Sequence, residues 1–227
     1  MSHPITSLLC VAILTILCPC GIVRAAPIRF VPLSEEIAAL KIAVKDAKKT
    51  TIIKDLNTLK RSNAYPCTIG ETPLQLVALD SKSADGKPES VAISLTPNIK
   101  SPLVLILPDS HHPSGLRAIA IDDSKAAFSW GSTRFLNTTG NPLIIRYGTD
   151  LKPLPEGDKL VDINPDGPAR RIGVQILMEK DPDKILYSAV WEHDPQVRKL
   201  ILVLPGTNPQ TKAVDLKVIP EDQRIKK

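Results

Sequence analysis

A short run of consecutive apolar residues occurs twice along the chain. The first copy, Leu103-Val-Leu-Ile-Leu-Pro108, precedes an alternating run at Leu116–Asp122; the second, Leu200-Ile-Leu-Val-Leu-Pro205, precedes one at Val214–Pro220. A short apolar run bounded by proline and turn residues is typical of a strand buried on both faces, whereas alternation indicates a strand with one face in water. Each pair therefore predicts a β-hairpin, and the spacing of 97 residues (200 − 103) predicts two copies of one β-domain.

Other strand-like segments precede the closing hairpin in the same order in both copies. The predicted equivalents are Lys41–Asp46 with Ser132–Asn137, Thr51–Leu56 with Pro142–Tyr147, Ser62–Ile69 with Lys159–Ile163, Leu74–Leu79 with Ile172–Leu177, and Ser90–Leu95 with Ile185–Trp191. About seven short strands per copy fit an immunoglobulin-like sandwich, and the 21 prolines disfavour an α/β fold. The predicted fold is all-β, with two tandem immunoglobulin-like β-sandwich domains related by an internal repeat.

The start of the chain predicts export. Residues 1–25 contain no Asp, Glu or Lys, and the 19 residues of Ile5–Val23 are nearly all apolar before Arg24-Ala-Ala26 offers small residues for cleavage. This pattern is typical of a secretory signal peptide, with an uncleaved membrane anchor as the alternative. We expect a signal peptide at 1–25, domain 1 at 28–123, domain 2 at 124–222, a basic tail at 223–227, and a secreted or periplasmic location. Between the signal and the first strands, Pro27–Glu36 is predicted to be an extended lead-in with a helix start at Ser34.

Composition narrows the classes of partner. Three of the four cysteines lie in the predicted signal peptide, so the mature chain keeps only Cys67, for which a buried thiol is favoured over an intermolecular disulfide or a nucleophile. Removing Arg24 with the signal lowers the formal net charge from +5 to +4 (28 basic minus 24 acidic residues), which does not indicate nucleic-acid binding. The aromatic content of 4% disfavours ligand binding by ring stacking.

Positive charge is concentrated near the start of domain 1. Its members are Lys41, Lys45, Lys48, Lys49 and Lys54, in a segment that reaches Arg61 and contains only Asp46 and Asp55 as acidic residues. A solvated strand face explains such a pattern. Attraction to an acidic envelope polymer or a lipid surface is the functional alternative.

The run Trp191-Glu-His-Asp-Pro195 is the most unusual in the chain. A tryptophan at a strand end beside ionisable residues predicts a binding lip formed by Trp191, Glu192 and His193, and Tyr187 shares the face of Trp191. The alternative is that Trp191 covers the core of domain 2 while the charges solvate a turn.

Several polar segments resemble incomplete sites. Asp162-Ile-Asn-Pro-Asp-Gly167 matches the first half of a calcium loop, yet Gly173 stands where a bidentate Glu is required, so a turn is preferred. Neither His111-His112 nor His193 has the spacing of a zinc site. Asn137-Thr-Thr139 is a formal N-glycosylation acceptor that also suits a turn. With no nucleophile motif present, we expect no catalytic residue, no metal and no cofactor.

Four segments together carry a resemblance. They are Phe128-x-Trp-Gly131, Asn137-Thr-Thr-Gly140, Leu186–Pro195 and Leu216–Asp222. In these the chain resembles a group of uncharacterised exported bacterial proteins, over most of its mature length. The resemblance implies export and a small β-rich body, and it brings no activity or site residue.

These observations favour an exported, non-catalytic binding or structural protein of the cell envelope, an adaptor-like pair of sandwiches. Its partner is expected to be another envelope protein or polymer, not nucleic acid, and no membrane span is expected once the signal is cleaved. One alternative is a glycan-binding module, which requires an exposed row of rings. Another is a metal-dependent or hydrolytic enzyme, which requires a histidine near a carboxylate in a cleft.

Overall fold

The chain forms two tandem β-sandwich domains in a computed structural model that describes residues 24–70, 72–208 and 212–225. Domain 1 contains β1 (Arg24–Pro32), α1 (Glu35–Ala38), β2 (Ile42–Lys45), β3 (Thr50–Ile52), β4 (Tyr65–Ile69), β5 (Leu74–Lys82), β6 (Pro88–Ile93), β7 (Pro102–Pro108) and β8 (Leu116–Asp122). Domain 2 contains β9 (Thr133–Asn137), β10 (Leu143–Tyr147), β11 (Asp150–Leu154), β12 (Leu160–Ile163), β13 (Arg170–Met178), β14 (Asp181–His193), β15 (Val197–Asn208) and β16 (Lys212–Asp222).

The two domains have the same strand order. Domain 1 has one sheet in the order β4-β1-β7-β8 and another in the order β3-β2-β5-β6; domain 2 has β12-β9-β15-β16 and β11-β10-β13-β14. In each domain the first strand pairs in parallel with the seventh, as β1 with β7 and β9 with β15. The two domains therefore share one topology, as the recurring hairpins predicted.

The strand count and the strand correspondence differ from the prediction. Each domain has eight strands instead of about seven. The additional strands are β1, where the sequence predicts a lead-in, and β11, whose Pro153 is typical of a loop. Because β1 is equivalent to β9 and β2 to β10, the predicted match of Lys41–Asp46 with Ser132–Asn137 is wrong by one strand. The short helix predicted after Ser34 is confirmed, since the Ser34 hydroxyl caps α1 by accepting from the Ile37 amide at 3.4 Å.

The immunoglobulin-like strand order is also not the observed one. In an immunoglobulin sandwich the first two strands are neighbours in one sheet, whereas β1 and β2 lie in different sheets here. The residues of β1 explain its central place between β4 and β7. Phe30 fills the core of domain 1 while Val31, on the opposite face, packs towards domain 2, so β1 is buried from both sides.

The sheets that contain β7 and β15 pack the two domains together. On β7, Val104 and Ile106 lie in the core of domain 1, while Leu105 lies in a separate apolar cluster that also contains Leu202 of β15. We call this cluster the interdomain core. Both apolar runs are therefore buried on both faces, as predicted, because one face covers the domain's own core and the other covers the neighbouring domain.

The junction between β8 and β9 is held by its rings and by arginines. Phe128 is 1% exposed and belongs to the interdomain core, with the guanidinium carbons of Arg134 and Arg198 lying 4.5 and 5.0 Å from its ring centroid. Trp130 is half-buried, and Arg198 also lies 5.0 Å from its ring. The junction is thus part of the packed interface between the domains.

The predicted signal peptide falls almost entirely outside the described residues, which begin at Arg24. Arg24 and Ala25 are the first residues of β1 and pair with Ile69 and Thr68 of β4. Within the described part of the chain, no helix is long and apolar enough to cross a membrane.

Candidate functional site

The predicted binding lip does not form an exposed surface around Trp191. The Trp191 ring lies 6.2 Å from Phe135 in a stacked arrangement and 6.1 Å from Tyr147 in an edge arrangement, measured between ring centroids. The indole Nε1–H donates to the Tyr187 hydroxyl at 2.9 Å. Because Phe135 and Tyr147 are buried in the core of domain 2, Trp191 and Tyr187 cover that core. This arrangement corresponds to the second interpretation offered by the sequence.

The two ionisable neighbours of Trp191 lie on opposite faces of β14. Glu192 is exposed, and its carbonyl accepts from the ammonium of Lys199, whose pKa is lowered mainly by burial. His193 is 4% exposed, and its Nε2 lies 3.3 Å from the Gly167 carbonyl. A Cβ on Gly131 would lie 3.4 Å from the His193 ring, and Gly131 has φ +79°, so glycine suits this close approach. The lip residues therefore do not converge on one surface.

The five predicted lysines do form an exposed surface. Lys41, Lys45, Lys48, Lys49 and Lys54 are all exposed around the β2–β3 hairpin; we call this group the lysine surface. The hairpin is fixed beneath them by the buried carboxylate of Asp46, which accepts from the amides of Thr68, Lys48 and Lys49 at 2.8 Å each. The Thr68 amide is the main reason that the pKa of Asp46 is lowered. The backbone of this surface is thus fixed while its ammonium groups remain in solvent.

A cleft of about 880 Å³ lies on the side of domain 1, and sequence reasoning did not predict it. Its lining includes Arg29 of β1, Lys60, Arg61 and Asn63 of the segment between β3 and β4, and Ser101 before β7. Basic residues dominate the charged part of the lining, with Asp55 as the acidic member. The sequence signal for this cleft was the basic end of the segment at Lys60-Arg61, but Arg29 is distant in sequence and joins only through the fold.

Behind this cleft lies a buried ion network that connects the domains. Asp123 accepts from Arg61 Nε at 2.7 Å and Nη2 at 2.9 Å, and from Arg29 Nη2 at 2.6 Å. Glu221 of β16 accepts from Arg29 Nη1 at 3.2 Å and pairs with Arg198, which lies 3.4 Å from Asp123. Because Arg29, Arg61 and Asp123 come from domain 1 and its junction, and Arg198 and Glu221 from domain 2, the network joins the two domains.

The network contains more positive than negative groups. Three guanidinium groups share the two carboxylates of Asp123 and Glu221. The Arg61 side chain is only 1% exposed. Among the described residues, its Nη1 is a buried polar atom with no hydrogen-bond partner. A buried donor without a partner is costly, because it has lost water without gaining an acceptor.

The segment resembling a calcium loop is occupied by an arginine. Asp162 is held by Arg134 through two contacts of 2.7 Å. Arg170 donates to the carbonyls of Pro165 at 2.6 Å and of Asp166 at 2.5 Å. Since these carbonyl oxygens already accept from a guanidinium, the segment serves as a turn. Across the described ranges, no group of three or more His, Cys, Asp or Glu side chains is placed to hold a metal ion.

The remaining polar candidates have structural partners. His112 Nδ1 lies 2.8 Å from Ser114 Oγ, but Ser114 is 2% exposed and its hydroxyl also accepts from the Leu116 amide, as in a turn. Asn137 is fully buried and its Nδ2 donates to the Asn141 and Leu154 carbonyls at 2.7 and 3.0 Å, so its side chain serves the turn. Cys67 is a buried free thiol, and burial raises its pKa to about 11. A thiol with this pKa is a poor nucleophile at neutral pH.

Comparisons with known proteins add little to this picture. No protein-family model and no curated protein matches the chain. Among solved structures, the chain is similar to the two tandem C2 domains of Extended-Synaptotagmin 2, with 12% sequence identity and a TM-score of 0.24, over 98% of each chain. A likeness at this level carries no argument about function.

Proposed function

We propose that this chain is an exported, non-catalytic binding protein of the cell envelope that contacts an acidic envelope polymer through the lysine surface. Domain 2 and the interdomain core hold domain 1 in one orientation. The observation that carries the proposal is the exposure of all five lysines on a hairpin fixed by the buried Asp46.

The packing between the domains supports an adaptor-like role. Apolar residues of both domains form one buried cluster, and the ion network around Asp123 spans the same junction. Two sandwiches joined in this way behave as one body, in contrast to domains connected by a flexible linker. A rigid pair is suited to presenting a binding surface in a fixed orientation.

The rings give no support to the glycan-binding alternative. All eight aromatic residues lie within the described ranges, and each is buried or half-buried. Ring stacking on a sugar requires an accessible ring face. The exposed part of the predicted lip is the Glu192 side chain, so a contribution of β14 to binding would be electrostatic.

The test is binding of the mature chain to an isolated envelope fraction and to a soluble acidic polysaccharide, over a range of salt concentrations. One variant replaces Lys41, Lys45, Lys48, Lys49 and Lys54 with Gln. The matched control replaces five other exposed lysines, which are Lys82, Lys87, Lys159, Lys180 and Lys184. Both variants lose the same formal charge, so a difference between them reports position and not net charge.

We expect the wild type and the control to bind with an affinity that falls as salt rises, and the lysine-surface variant to lose at least about tenfold, or roughly 1.4 kcal/mol. A Glu192→Gln variant tests β14 separately. Equal binding by the two lysine variants would overturn the proposal. Loss of binding in Glu192→Gln alone would move the contact to the end of β14.

A further inference from the structure

The cleft lined by Arg29, Lys60 and Arg61 carries an inference that goes beyond the lysine surface. Its floor adjoins the buried ion network, because Arg29 and Arg61 belong to both. Among the described residues, three guanidinium groups of that network share two carboxylates, which is an excess of one positive charge. A buried excess charge is unfavourable unless a counter-charge lies close to it.

The unpartnered donor belongs to Arg61, which also lines the cleft. Arg61 Nε and Nη2 are committed to Asp123 at 2.7 and 2.9 Å, whereas Nη1 is buried without an acceptor. Elsewhere in the network the donors are used: both Nη atoms of Arg29 and the Nε of Arg198 have acceptors. The donor that lacks an acceptor therefore belongs to Arg61, one of the two network arginines that line the cleft.

Beside the single carboxylate of Asp55, the lining also offers groups that recognise an oxyanion. Lys60 and Asn63 are exposed at the rim, and Ser101 is half-buried. Ammonium, amide and hydroxyl donors next to a guanidinium are the groups that bind phosphate in proteins. The volume of about 880 Å³ is within the range of small-molecule sites and larger than a free ion requires.

We propose that this cleft binds a phosphate group carried by a larger molecule, with Arg61 Nη1 and Lys60 as its charged donors and Arg29 adding positive potential. The phosphate supplies both the missing acceptor and the missing counter-charge. Two sources share this chemistry, a soluble phosphate monoester and the headgroup of an anionic lipid.

The experiment maps backbone amide shifts by NMR while inorganic phosphate or glycerol phosphate is titrated into the full mature chain, with sodium chloride at equal ionic strength as the reference. We expect saturable shifts at residues 60–64 and 101–102, with tighter binding of glycerol phosphate than of inorganic phosphate. Lys60 is exposed, so Lys60→Gln should fold, and we expect it to weaken binding about tenfold. Lys184→Gln, an exposed lysine on β14 that removes the same charge, should bind as the wild type does.

Arg61→Lys retains the positive charge and removes Nη1, so we expect this variant to bind phosphate more weakly than the wild type. Arg61 is buried, and the substitution can prevent folding. In that case the exposed variant Lys60→Gln tests the proposal separately. Vesicles containing phosphatidylglycerol distinguish the source: binding to vesicles that depends on Lys60 assigns a lipid headgroup, and binding of soluble phosphates alone assigns a free monoester. The proposal is overturned by shifts confined to residues 41–54, by shifts equal to those in chloride, or by equal affinities of Lys60→Gln and Lys184→Gln. The quintuple lysine-surface variant keeps Lys60, so retention of phosphate binding there separates this site from the proposed envelope contact.

Discussion

The sheets that face each other across the junction differ from the outer sheets. The facing sheets contain β7 and β15, whose apolar runs are buried on both sides. The outer sheets expose Ile52 on β3, Leu151 on β11, and Ile185 and Val190 on β14, each by more than half of its surface. The facing sheets thus contribute to the stability of both domains at once, whereas the outer sheets bury one face and leave the other in solvent.

The polar groups follow the same division. At the junction, carboxylates and guanidinium groups are buried and paired within the Asp123 network. On the outer sheet of domain 1, the charges of the lysine surface are in solvent. A charge at the junction therefore acts on stability, whereas a charge on the outer sheet acts on association.

The largest effect is expected at the centre of the ion network. Asp123→Asn removes a carboxylate from among three guanidinium groups and should lower the free energy of unfolding by about 3–5 kcal/mol. Asp158→Asn is the control, because its exposed pair with Arg117, 3.2 Å apart, should contribute no more than about 1 kcal/mol. Urea denaturation followed by circular dichroism measures both. Equal losses would show that the buried network contributes no more than a surface pair.

The interdomain core gives the next largest effect. Leu202 on β15 is 1% exposed, and Leu202→Ala should lower the free energy of unfolding by about 2–5 kcal/mol. Leu151 on β11 is 56% exposed, and Leu151→Ala should change that free energy by less than about 0.5 kcal/mol. Because Leu202 packs between the domains, we expect wild-type unfolding to occur in one transition. Two separate transitions in the wild type would contradict the shared core.

Much of the facing sheets could be predicted from sequence, because a continuous apolar run reports burial on both faces wherever it occurs. β1 and β11 could not, since Pro27 and Pro32 interrupt β1 and Pro153 interrupts β11, and a parallel pairing with β7 leaves no local pattern. The buried ring partners of Trp191 could not be identified for a related reason. Phe135, Tyr147 and Trp191 lie on β9, β10 and β14, strands of two different sheets whose side chains meet only in the folded core.

The cleft is the clearest case of a feature outside the reach of sequence. Arg29 and Glu221 are separated by 192 residues and meet at 3.2 Å. Spacing cannot show that these side chains share a network, nor that Arg61 Nη1 would lack a partner. By contrast, the exposure of the lysine surface was predicted correctly, because its lysines cluster along one short hairpin.

A smaller effect is expected beneath the lysine surface. Asp46→Asn keeps one acceptor oxygen but replaces the other, which accepts from the Thr68 backbone N–H, with an NH2 donor. The variant should therefore lower the free energy of unfolding by about 1–3 kcal/mol. The folded pKa of Asp46 is lowered, so its contribution is present above its unfolded pKa of about 3.9 and is lost as the pH falls through the lower folded value. Thermal unfolding between pH 7 and pH 2 measures this. The gap between wild type and variant should close at the acid end; a gap that is constant with pH would assign the loss to packing instead.

The smallest effect is expected on the outer sheet of domain 2. Val190→Ser, at a residue 67% exposed on β14, should change the free energy of unfolding by less than about 0.5 kcal/mol. Thermal unfolding of this variant beside Val104→Ser, at a fully buried residue of β7, contrasts the two kinds of sheet. A loss at Val190 close to that at Val104 would mean that something covers this face in the assembled protein.

The parallel pairing of the first strand with the seventh imposes an order on the synthesis of the chain. Arg29 pairs with Leu103, which lies 74 residues later in the chain (103 − 29), and Thr133 pairs with Lys199, which lies 66 residues later (199 − 133). Neither domain can complete its facing sheet until nearly all of it has been synthesised, and such long-range closure is slow. When domain 1 has closed, the leucines of β7 that belong to the interdomain core remain uncovered until β9 and β15 arrive. During synthesis, domain 1 is therefore expected to fold with this apolar surface exposed to solvent, which makes it prone to aggregation. Domain 2 of the same chain removes that exposure when it folds.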